Sequence, residues 1–188
     1  MKVTREKAAE HRTAIVRAAA DLFRARGLGG VGVAEIMQAA GLTHGGFYGH
    51  FKSKDALAAE ACRAAFDEGL SRVAKDSDIE SYVARYFTPA HRDRQMGGCP
   101  MVALGSEIRH QETEVQAKFA GGVADYLAGI EALIKRSEPE LPAAEVRTRA
   151  IATVSALVGG MILARATAET QPALSAEILA TLPGAISH

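Results

Sequence analysis

Tryptophan is absent from this 188-residue chain, aromatic residues make up only 5% of it, and there are two cysteines. So small a supply of large rings disfavours sheet surfaces, whereas abundant alanine favours close-packed helices. The cysteines, Cys62 and Cys99, have no short spacing, which argues against a disulfide framework and a cysteine-based zinc site. No apolar run approaches the ~20 residues that a membrane span needs, so no membrane partner is expected. The N-terminus, MKVTREKAAEHR, has charges but no following apolar core; a secretory leader is not expected, and the cytoplasm is the default compartment. Catalytic patterns are missing too. Glu107, His110 and Glu112 have the spacing of a polar helix end, with no H-E-x-x-H pattern, and neither a triad nor a carboxylate pair emerges. The chain therefore reads as a non-enzyme without metal or cofactor.

The formal net charge is zero, but it is unevenly distributed. Residues 1–54 carry nine Lys or Arg against four Asp or Glu, a balance of +5, and the remainder carries 13 against 18, or −5. A basic head on an acidic body is expected where one end meets phosphates, although a solvated charged face gives the same count.

The first helix is expected over about residues 5–26, with Ile15, Ala19, Leu22 and Phe23 inward and Arg12, Arg17 and Arg24 in water. Gly27-Leu28-Gly29-Gly30-Val31-Gly32 matches G-x-G-x-x-G, but the segment before it has helical period where a dinucleotide fold needs a strand. These glycines read as a helix end and turn. A second helix follows, with Val33, Ile36, Met37 and Ala40 forming one stripe. Gly41 suits the left-handed residue after it, and Thr43 suits the cap of a third helix. Two helices joined by a short glycine turn place the second in a DNA major groove.

The stretch GLTHGGFYGHFKSKDAL resembles the DNA-binding signature of the tetracycline-repressor (TetR) family, A-G-hydrophobic-S/T-x-x-x-hydrophobic-Y-x-x-F-x-x-K-x-x-L. Ala40, Gly41, Leu42, Thr43, Phe47, Tyr48, Phe51, Lys54 and Leu57 stand at its places, and the resemblance extends over roughly the first third of the chain. It implies an all-α protein with a helix-turn-helix head over 1–54 and an effector-binding and dimerisation body over 55–188. The implied function is a regulator, a repressor released from a near-palindromic double-stranded operator by a small apolar or aromatic ligand. Thr43, His44, Gly45, Gly46, Tyr48, His50, Lys52 and Lys54 are then the candidate DNA contacts. Phe47 and Phe51 read as core. Paired glycines at 45 and 46 suit close backbone approach to DNA or a frayed helix start. Tyr48 reads as a phosphate-contacting hydroxyl or a half-buried ring. One departure is Gly32, where relatives have a capping Ser or Thr.

Beyond the head, a helix capped by Ser53 should run to about Lys75 and another, capped by Asp78, should end before Pro89. His91 to Gly98 reads as a candidate mobile flap. Cys99 precedes Pro100 at a helix start, where a thiol can become reactive, so a redox-responsive regulator using Cys99 is an alternative, with Cys62 as a distant partner. Another is a helical interaction module without DNA binding. Further helices are expected over 113–136, 143–168 and 172–182. The resemblance places the ligand cavity among Tyr82, Tyr86, Phe87, Met96, Cys99, Met101, Phe119 and Tyr126, each of which could equally be plain core. The helix over 143–168 is apolar nearly all round, so burial or a partner subunit must cover it. With the last helix it supplies a homodimer face of Ile151, Val154, Leu157, Val158, Met161, Ile162, Leu174 and Ile178.

Overall fold

The computed structural model describes residues 4–94 and 96–186, and among these the regular structure is entirely helical. Helix α1 spans Arg5–Arg26; Thr4 caps it, with Oγ1 accepting the Lys7 N–H at 3.3 Å. Ile15, Ala19, Ala20 and Phe23 are buried. Helix α2, Val33–Ala39, ends in a Schellman motif: Gly41 has φ +72°, its N–H bonds the Gln38 carbonyl, and the Leu42 N–H bonds that of Met37. A 3₁₀ segment, His44–Gly49, follows. Helix α3, Lys54–Val73, is capped by Ser53, whose Oγ accepts the Ala56 N–H at 3.1 Å. Then come α4 (Ile79–Tyr86, capped by Asp78), α5 (Pro89–Arg92, capped by Thr88) and α6 (Pro100–Leu104). A 3₁₀ turn at Ile108–His110 leads into α7 (Thr113–Ser137), α8 (Ala143–Thr167) and α9 (Pro172–Ile186).

The chain forms two compact units: Met1–Glu68 with Gln95–Gly122, and Gly69–Arg94 with Val123–His188. The division by motif at residue 54 does not coincide with these, because α3 and α7 each run unbroken across a unit boundary. In the first unit α1 packs on α2 and α6, and α2 on the 3₁₀ segment. Phe66 of α3 lies edge-on to Phe119 of α7 at 5.1 Å, and a Cβ on Gly122 would collide with its ring. In the second unit α8 packs on α9.

Several expectations need correction. The recognition element is 3₁₀ where an α-helix was expected, and Thr43 makes no side-chain cap bond. Three glycines in six residues explain this, since each costs an α-helix about 1 kcal/mol relative to Ala. Arg24 is buried where it was expected in water, because Asp21, Glu68 and the carbonyls of Ala20 and Gly98 satisfy its guanidinium. The flap is tied down: Arg165 donates to the carbonyls of His91, Arg92 and Arg94, and Arg24 to that of Gly98. Gln95 lies outside the described residues. By length and composition α8 is apolar enough to cross a membrane, with a mean hydropathy of 1.6 in its best window. Yet Val146, Ala150, Val154, Leu157, Met161 and Ala164 are buried in the second unit, as in the core helix of a globular body.

Candidate nucleic-acid interface

The 3₁₀ segment is built around one buried ring. Phe47 stacks on Phe51 at 5.8 Å and meets Tyr48 edge-on at 5.2 Å, and both phenylalanines are core. Arg12 of α1 covers the outer face of Phe51 at 4.5 Å and pairs with Glu60 of α3. That pairing holds the Arg12 guanidinium pKa above its ordinary value. On this frame the neighbouring side chains point outward. Tyr48 is 74% exposed, which removes the half-buried alternative, and Thr43, His44, Gly45, Gly46 and Lys52 are exposed as well. His50 is half-buried, its ring 6.1 Å from that of His11.

None of Gly45, Gly46 and Gly49 has a positive φ. A Cβ at 45 or 49 would meet nothing within 4 Å, and one at 46 would make ordinary contact with Met37. The fold itself therefore does not require glycine there, and the surface they leave is bare of side chains. Lys54 differs from the rest of the candidate set. Its Nζ donates to the Leu28 carbonyl at 2.7 Å and lies 5.9 Å from the Phe23 ring, so it ties the α1–α2 connection as well as bordering the face. Gly27, with φ +78°, ends α1 and satisfies the left-handed turn, so the glycine-rich stretch works as punctuation.

Residues 15–61 match the family model described as bacterial regulatory proteins, tetR family. The match covers the later part of α1, α2, the 3₁₀ segment and the start of α3. No curated protein matches the chain at a significant level. Solved structures similar to it include a TetR-family regulator from Cytophaga hutchinsonii, 20% identical with a TM-score of 0.75, covering 100% of this chain and 97% of that one. A TetR regulator from Chloroflexus aurantiacus is 25% identical with a TM-score of 0.70, covering 97% of each chain. The regulator FadR from Bacillus subtilis, solved with stearoyl-CoA, is 17% identical with a TM-score of 0.59, covering 90% of this chain and 96% of that one.

The ligand candidates divide between the two units. Tyr82, Tyr86, Phe87 and Tyr126 are buried together in the second, with ring centroids 5.5–6.5 Å apart and the hydroxyls of Tyr82 and Tyr126 in contact. Burial raises the Tyr126 pKa above its ordinary value. Sequence reasoning missed His91, whose ring lies 4.3 Å from that of Tyr86 and whose Nδ1–H donates to the Tyr86 carbonyl at 2.8 Å. Burial lowers its pKa to about 4, and Arg165, Arg94 and Arg72 add to the effect, against the carbonyl bond that raises it. Cys99, Met101 and Phe119 are buried in the first unit, while Met96 is 58% exposed. Burial also pushes the Cys62 thiol up to about 11.

The dimer candidates divide by face. Val154, Leu157 and Met161 point into their own unit, which corrects their assignment to an outer surface: an all-apolar helix carries no phase to say which side is inward. Ile151, Ile162, Leu163 and Leu174 are exposed, at 46%, 45%, 57% and 39%. Val158 and Ile178 are half-buried.

Proposed function

We propose that this chain is a DNA-binding transcriptional regulator, a repressor that binds a near-palindromic operator as a homodimer and leaves it when a small apolar ligand binds. The observation that carries the reading is the exposed recognition segment, with glycines that the fold does not need, on a buried Phe47–Phe51 frame. Thr43, His44, Tyr48, His50, Lys52 and Lys54 are the proposed contacts, and Gly45 and Gly46 admit the DNA backbone. The exposed apolar residues of α8 and α9 support an isologous two-fold pairing, which would set two recognition segments about 34–36 Å apart along one side of the duplex. The aromatic cluster of the second unit, and the acyl ligand of the FadR structure, support an apolar effector. A regulator of this kind performs no catalytic step and acts in the cytoplasm, where its operator is. The redox alternative is weakened by the burial of both thiols and the raised pKa of Cys62.

A gel shift with fragments flanking the protein's own gene tests this reading. A shifted band should appear on a fragment with a near-palindrome, with affinity falling steeply with added salt, because binding releases counterions from the DNA and salt makes that release less favourable. If no fragment is bound even at low salt, the reading fails.

A further inference from the structure

The connection between α1 and α2 is held by charged side chains from three directions. Arg26 donates to the Gly30 carbonyl at 2.9 Å and makes a two-pronged bond to Glu35 of α2, at 2.5 and 2.6 Å. Lys54, at the start of α3, donates to the Leu28 carbonyl. The third comes from outside the helix-turn-helix: Glu107 accepts the Leu28 N–H through Oε2 at 2.9 Å, 79 residues along the chain. Its carboxylate lies so close that a Cβ on Gly27 would fall 2.5 Å from Oε1. Leu28 is buried, and among the described residues no backbone carbonyl takes its N–H. A buried N–H without a partner is costly, so the carboxylate has a defined task.

The segment that delivers Glu107 is itself fastened at its other end. Gly98 offers its carbonyl to Arg24 of α1, whose buried guanidinium also binds Asp21 at 2.7 Å and Glu68 at 2.8 Å. Residues 98–107, with α6 between the two ties, thus bridge the last turn of α1 and the connection leading to α2. The position of the Leu28 peptide fixes where α2 starts, and α2 carries the recognition segment through the Schellman turn and Met37.

We propose that Glu107 is a positioning residue for the DNA-binding face: by holding the Leu28 peptide opposite Lys54, it makes operator affinity depend on where segment 98–107 lies. This rests on the DNA-binding reading above. The tie requires an acceptor oxygen at the reach of a Glu side chain, and it does not require a charge. Glu107→Gln should keep it, whereas Glu107→Ala loses the acceptor and Glu107→Asp withdraws it by one methylene.

The test compares the full-length wild type and these three variants by amide hydrogen exchange at Leu28 without DNA, and by affinity for the fragment that the wild type shifts. With Ala and Asp, exchange at Leu28 should quicken by at least about tenfold. Affinity of the folded fraction should drop roughly tenfold, the change expected for one lost hydrogen bond of ordinary net strength. Glu107→Gln should restore both; should Glu107→Ala not fold, Asp against Gln carries the comparison. Unchanged exchange in Ala and Asp overturns the tie. Quickened exchange with wild-type affinity overturns its role in positioning. Retention by Asp with loss in Gln overturns the reach argument in favour of charge. If the wild type binds no fragment, the DNA-binding reading has failed, and the exchange result still reports separately whether the tie exists.

Discussion

The two compact units use their charged side chains alike and leave different surfaces bare. In the first, Arg24, Arg26, Lys54 and Glu107 are turned onto main-chain groups, and the face left without internal partners is glycine-rich and flanked by basic residues. In the second, Arg165 grips three carbonyls around α5 while Arg92 holds Ser175 of α9, whose hydroxyl passes a bond on to the Ala164 carbonyl. There the uncovered face is apolar, Ile151, Ile162, Leu163 and Leu174. Internal ties of one kind thus free two outward faces of opposite character. One suits phosphates, which need backbone access and positive charge; the other suits a copy of itself, which needs matching apolar area.

The contrast is most easily broken on α8. Leu157→Asp would put a carboxylate into a fully buried site at a cost of several kcal/mol, a large part of the ~5–15 kcal/mol that holds a domain together. Unfolded or insoluble protein is expected. Ile162→Asp lies on the exposed face and should leave the helix content intact, while sedimentation shows monomers that no longer bind the operator. A folded, dimeric Ile162→Asp protein with unchanged affinity would remove this face from the interface.

Neighbouring rings in the head sharpen the same distinction. Phe47→Ala empties a core position and should cost about 3–5 kcal/mol of stability. Tyr48→Ala, one residue on, should change stability by no more than about 0.5 kcal/mol and still weaken DNA binding. Thermal melts beside gel shifts separate the two effects; a Tyr48→Ala protein with both properties unchanged would exclude that hydroxyl from the interface.

His91 gives the second unit a dependence on pH. Its pKa is lowered from 6.5 to about 4 on folding, so between those values the unfolded chain binds the extra proton. The stability contributed by the neutral ring is complete above pH 6.5 and is lost as pH falls towards about 4, with a slope approaching ~1.4 kcal/mol per pH unit. Urea titrations across this window should show the slope in the wild type and a flatter profile in His91→Gln. Equal slopes in both would place the acid sensitivity elsewhere.

How far all this was legible depended on whether the deciding partner was near in the chain. Helix limits followed from local punctuation, and so the Ser53 and Asp78 caps and the Gly41 turn appear where spacing put them. Phe47 and Phe51 were readable as core through the resemblance to the family signature. Arg24 and Glu107 were not, because their environments are set by Gly98 and Glu68 and by Leu28, all distant in sequence. The inward side of α8 was hidden for a different reason: with apolar residues on every side, its sequence has no phase.

The smallest effect tests the head's bare face most directly. Gly45 has an ordinary negative φ, and a Cβ added there meets nothing within 4 Å. Gly45→Ala therefore removes conformational freedom from the unfolded chain without strain in the folded one, and should stabilise the protein by about 0.4–1 kcal/mol. If the glycine serves only the fold, affinity for DNA should stay constant or improve with this stabilisation. If it serves close approach of the DNA backbone, the added methyl group stands where a phosphate or sugar must come, and affinity should fall while the melting temperature rises. Opposite signs in one variant are expected here, and a protein that gains stability and keeps its full affinity would show that the bare face at residue 45 is not where the DNA lies.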